Sequence, residues 1–80
     1  MKVLFLLDSD AGSGEISIER LEEMFEGIEE AGCLAGSFDA YVKADVQDEV
    51  DLERVQNNIR EIRWVNDTET NVILPENSSL

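Results

Sequence analysis

The stretch Lys2–Leu7 (KVLFLL) is apolar on both alternating faces of one extended segment: Val3, Phe5 and Leu7 on one, Leu4 and Leu6 on the other. It reads as a strand, and a strand apolar on both sides must be covered on both sides. Helices of the same chain can cover one face. The other needs a different cover, and a second copy of the chain is the expected one. Eighty residues is about half an average domain, so the expectation is a single domain over residues 1–75 with a frayed polar tail over residues 76–80. A chain this short buries only about 60% of its unfolded surface. It has one cysteine (Cys33) and no histidine, so neither a disulfide framework nor a zinc cluster can add stability. Oligomerisation is the remaining route.

The rest of the chain alternates between two periods. After a turn region over Asp8–Ser17, with Gly12 and Gly14, Ser17 is placed to cap a helix. Its apolar stripe is Ile18, Leu21, Met24, Phe25 and Ile28, with Gly32 as its stop. Ala31–Gly36 (AGCLAG) reads as a short edge strand. Phe38–Val46 (FDAYVKADV) alternates strictly and reads as a half-buried strand. A second helix carries the stripe Leu52, Val55, Ile59 and Ile62, with Asp51 or Asp48 as its cap. Trp64 and Val65 leave it. Thr68–Leu74 (TETNVIL) is the last strand, closed by Pro75. The order is β-α-β-β-α-β. It predicts an α+β, ferredoxin-like sandwich: a four-stranded antiparallel sheet with two helices on one face.

Charge narrows the function. Nineteen acidic residues against six basic ones give a net charge of −13. A chain without a basic patch cannot neutralise phosphates, so direct nucleic-acid binding is excluded, and an anionic membrane surface is disfavoured for the same reason. The apolar run at the start is too short for a secretory signal or a membrane span, and a lone cysteine suits a reducing compartment, so the expected location is the cytoplasm.

The second half resembles a known family. Gly36-Ser37-Phe38-Asp39-Ala40-Tyr41-Val42 is similar to the Gly-x-Tyr/Phe-Asp-x-x-hydrophobic stretch of the ligand-sensing domain of the Lrp/AsnC transcription factors. The acidic link, the Leu52–Ile62 helix and the ending Val65-Asn66-Asp67-Thr68-Glu69-Thr70 followed by an aliphatic strand resemble the close of that domain. The likeness runs over Gly36–Leu74. It implies a dimeric α/β module that pairs through its sheets, assembles further, and binds amino acids or related small effectors at subunit interfaces. It places effector contacts near Gly36, Asp39, Thr68 and Thr70. With no DNA-reading helix-turn-helix in the sequence, the expectation is a stand-alone sensing module whose partners are its own copies and a small amino-acid-like effector. The interface residues expected are Leu4, Leu6, Tyr41 and Trp64.

Several residues carry a plainer reading beside that one. Asp39 is either a ligand contact or the solvent side of its strand. Thr68 and Thr70 suit a strand in any case. Trp64 is either an interface anchor or a lid on the core. Catalysis is not expected: there is no histidine for general-base work, and no Ser-His or Cys-His pair can exist. Cys33 follows a glutamate-rich segment, which opposes a thiolate, so it reads as a small apolar residue. No cofactor is expected. Two alternatives compete with the sensing module. Asp8, Asp10 and Glu19 stand at positions 1, 3 and 12 of a calcium-loop pattern, although Gly12 and Ser13 break it at positions 5 and 6. The acidic surface could also dock a basic protein partner.

Overall fold

The structure, a computed structural model, describes residues 1–9, 21 and 26–75. Its central strand is β1 (Lys2–Ser9). β3 (Ala40–Asp45) pairs antiparallel along one side of it, and β4 (Val65–Val72) along the other. The outer edge beyond β3 is β2 (Ile28–Cys33), also antiparallel. The order β2-β3-β1-β4 is the ferredoxin-like sheet that the element order predicts. The described helix, α1 (Glu49–Arg60), links β3 to β4.

β1 behaves as its pattern requires. Val3, Phe5 and Leu7 are fully buried, and they share one core with Ala40, Val42, Ala44 and Val46 from β3 and its end, and with Val55 and Ile59 from α1. Leu52, Ile62, Trp64 and Val65 pack against that core from the same side. Leu21, from the first predicted helix, is helical and buried among them. Residues 10–20, with the Ser17 cap, residues 22–25 and the tail over residues 76–80 lie outside the described residues.

Of the two caps expected for α1, Asp48 is the one used: its carboxylate accepts from the Asp51 amide at 2.8 Å. Asp51 reaches back to accept from the Gln47 amide at 3.0 Å and holds the Arg54 guanidinium at 2.6 Å. These contacts hold the Asp51 carboxyl below the usual carboxylate range, the Gln47 amide first and Arg54 second. The helix ends at Arg60, two residues short of the predicted Ile62, and the chain turns through Glu61–Trp64 into β4.

Several boundaries differ from expectation. The edge strand runs over Ile28–Cys33, not Ala31–Gly36. Ile28 is therefore a strand residue opposite Ala44, not the last rung of a helix. Gly32 lies inside this strand, and a turn containing Gly27 leads into it. Gly27 has φ +92°, its carbonyl accepts from the Asp45 amide at 2.8 Å, and a Cβ there would sit 2.8 Å from the Asp45 carbonyl oxygen. The last strand begins at Val65, three residues before the predicted Thr68, because pairing with β1 extends to Ser9 opposite Val65. β3 is shorter than Phe38–Val46 at both ends, although Val46 remains buried.

Gly27→Ala must place a side chain in the left-handed region and against a backbone oxygen. It is expected to cost about 1–3 kcal/mol, read by urea or thermal denaturation. A cost indistinguishable from zero would contradict the described turn.

Candidate functional site

Residues directly opposite on neighbouring strands share a face. On the sheet face away from α1, Leu6 therefore lies between Tyr41 of β3 and Glu69 of β4, and Leu4 between Lys43 and Asn71. Leu4, Leu6 and Tyr41 are half-buried. Tyr41 continues the face over β2, where its partner is Gly32. A Cβ at Gly32 would stand 2.7 Å from Tyr41 Cε1, so the glycine lets the ring lie across the edge strand. Glu30 faces Lys43 beside it. Three of the four expected interface residues thus stand together. Trp64 does not join them: it packs against the core on the helix side.

Carboxylates gather at one end of this face. Asp8 is opposite Asp67 across the β1–β4 pair, where the register then shifts at Ser9. Asp39 precedes β3, and its amide donates to the Leu7 carbonyl at 2.9 Å. Its carboxylate accepts from the Ser9 amide at 2.8 Å and from the Ser9 hydroxyl at 3.1 Å. Its own carbonyl accepts from the Leu34 amide at 2.9 Å, closing the segment 34–39. The strand acid singled out from the sequence is thus a structural tie between the end of β1 and this loop.

The electrostatics follow from that geometry. The Ser9 amide and then the Ser9 hydroxyl hold the Asp39 carboxyl below the usual carboxylate range. Asp8 is pushed above it: its carboxyl adjoins Asp39, which favours the protonated form, and partial burial and the charges of Asp39 and Asp67 add to this. Asn66 works the other way. The signs for stability are opposite. The Asp39 contribution is present above the ordinary carboxylate pKa and is lost as pH falls through its lowered value. Asp8 favours the fold when protonated, and that contribution is lost as pH rises through its raised value.

The four expected effector residues do not converge within one chain. Gly36 lies in the exposed 34–39 segment, and a Cβ there would meet nothing within 4 Å. Asp39 adjoins Ser9 at the sheet end. Thr68 and Thr70 are opposite Leu7 and Phe5, which puts them on the helix-side face. The Thr68 hydroxyl accepts from Arg60 Nε at 3.4 Å, while the Thr70 hydroxyl oxygen is buried with no hydrogen-bond partner among the described residues. Of the calcium-loop residues, Asp10 and Glu19 lie outside the described residues. Among the described residues no three acidic or sulfur ligands are gathered closely enough to hold a metal ion. Cys33 is exposed at the end of the edge strand. No described helix is long and apolar enough to cross a membrane.

No protein-family model matches the sequence, and no curated protein matches it. Solved structures do. FFRP-DM1 superposes with a TM-score of 0.77 at 24% identity, covering 91% of this chain and 97% of that one. A hypothetical protein, PHS023 from Pyrococcus horikoshii, gives 0.75 at 26% identity over 94% and 92%. AsnC of E. coli gives 0.80 at 19% identity over 99% of this chain but 54% of its own. The structural neighbours are proteins of the Lrp/AsnC family, and this chain has the fold they share. In AsnC that fold accounts for about half of the chain.

Carboxyl titration by NMR is expected to place Asp8 above and Asp39 below the ordinary aspartate value. Ser9→Ala removes one of two donors and moves Asp39 part of the way up. Asp39→Asn brings Asp8 down. Coincident titrations of Asp8 and Asp39 would contradict the described contacts.

Proposed function

We propose that this chain is a non-enzymatic regulatory module, built like the Lrp/AsnC sensing domain, that self-associates through the sheet face opposite α1 and acts in the cytoplasm. One observation carries the reading. β1 is apolar on both sides, α1 lies on only one of them, and Leu4, Leu6 and Tyr41 stand together on the other. In an isolated copy that surface faces water. A second copy with the same face supplies the missing apolar layer, and a two-fold pair lets each Leu6 meet its equivalent surface.

The effector reading takes a specific form. Asp39 and the two threonines occupy opposite faces of the sheet, so a small amino-acid-like effector that touches all of them bridges two copies. Gly36 supports this. Its space is open within the chain, so a glycine there is not required by its own fold and leaves room for close approach by something else.

The test is size-exclusion chromatography with light scattering over a wide concentration range. The wild-type chain is expected to elute as a dimer or larger assembly. Leu6→Asp is expected to weaken association about a hundred-fold or more, the scale of losing a buried anchor, while the circular dichroism stays that of a folded chain. A wild-type chain that is strictly monomeric at high micromolar concentration would overturn the proposal. For the effector, a screen of the common amino acids is expected to find one that raises the Tm by several degrees. Gly36→Ala is expected to leave the unliganded stability unchanged and to abolish that rise. Retention of the full rise in Gly36→Ala would remove Gly36 from the site.

A further inference from the structure

We propose that self-association through the open sheet face is coupled to uptake of a proton by the Asp8–Asp39 carboxyl pair, so that the assembly tightens as pH falls. This rests on the reading of that face as the surface between copies.

The geometry carries the argument. Asp8 follows Leu6 on the same face of β1, one step along the apolar centre. Among the described residues, the groups that face it are Asp39 from the loop before β3, Asp67 and Asn66 from β4, and Ser9 on its own strand. Tyr41 and Glu69 are the next residues on that face, on β3 and β4. None of these is a cation. The basic side chains nearby are committed elsewhere: Lys2 to Glu29 and Asp45, Arg54 to Asp51, and Arg60 to Thr68. Lys43 stands opposite Glu30 on the β2 side. Arg63 forms no ion pair with the carboxylates either, so among the described residues Asp8, Asp39 and Asp67 have no counter-ion.

Two of the carboxyls share a ready-made place for one proton. Asp39 accepts the Ser9 amide and hydroxyl on the same oxygen, Oδ2, which fixes it as the charged, accepting member. Asp8, whose described donor is the single Asn66 side chain, becomes the protonated member, with its O–H donating to the Asp39 carboxylate. Asp8 is already pushed above the ordinary range in a single chain, for the reasons given above. Covering the face with a second copy strips water from Asp8. That disfavours the charged form further. Each copy then binds a proton more readily in the assembly than alone, and linkage requires the assembly to tighten at lower pH.

The experiment is sedimentation equilibrium of the full chain from pH 7.5 down to pH 5, at one fixed salt concentration. The wild-type dissociation constant is expected to fall by up to about ten-fold per pH unit for each proton taken up per assembly. Asp8→Asn is expected to flatten that slope. Glu30→Gln removes an equal charge from the β2 side of the same face and is expected to keep it. A wild-type constant independent of pH, or a slope equally steep in Asp8→Asn, would overturn the proton linkage while leaving the interface reading intact. No association at any pH would instead overturn the interface reading. The wild-type chain gives a second measurement that needs no variant. The Asp8 carboxyl is expected to titrate at higher pH in concentrated, assembled samples than in dilute ones. An unchanged titration across the assembly transition would count against the proposal.

Discussion

The fold depends on the burial of β1 on one side and its incomplete cover on the other. Val3, Phe5 and Leu7 hold the β3, β4 and α1 side chains in one core, and every other strand is placed by its distance from this one. The same backbone presents Leu4 and Leu6 outward, because side chains alternate with a period of two. A sheet whose central strand is apolar on both faces cannot be a finished two-layer unit with helices on one face alone. The structure therefore presents a half-buried apolar strip, Leu4, Leu6 and Tyr41, on the face away from α1.

Around this apolar centre the chain distributes its acidity unevenly. Lys43 and Glu30 face one another toward β2, whereas Asp8, Asp67 and Asp39 collect at the far end with no ion pair among the described residues. Like charges on adjoining strands oppose pairing. The Ser9–Asp39 contact offsets part of that by satisfying one carboxylate with two donors. One end of the face is thus electrostatically balanced and the other is sensitive to protonation. In the proposed assembly that asymmetry makes the contact sensitive to pH.

Much of this was legible in the residues, for reasons that differ from place to place. β1, β3 and α1 follow strong periodicities, and their core positions were readable as such. β2 was misplaced because Ile28 fits a helical stripe as well as it fits a strand, and IEEAGC has little intrinsic strand preference. Its state is imposed by pairing with β3, a contact no local pattern contains. β4 begins early for the same reason, with Asn66 and Asp67 carried into the sheet by β1. The site shows a similar division. Asp39 stood out as an acid within a strand pattern, but its donor Ser9 is thirty positions away. The Asp8–Asp67 pair exists only once the register is known. Trp64 packs half-buried against the helix-side core, a contact that the local sequence does not contain. Thr68 and Thr70 were grouped with Asp39 by motif order, which carries no information about sheet faces.

The most direct test of the account is isotope-filtered NMR on a mixed sample of labelled and unlabelled chains. If the open face is the surface between copies, intermolecular contacts will connect the Leu4 and Leu6 methyls of one chain with the same methyls and the Tyr41 ring of the other. An assembled sample would contradict the account if its intermolecular contacts arise instead from the exposed apolar residues at the other end of β4, Val72, Ile73 and Leu74, with none from Leu6.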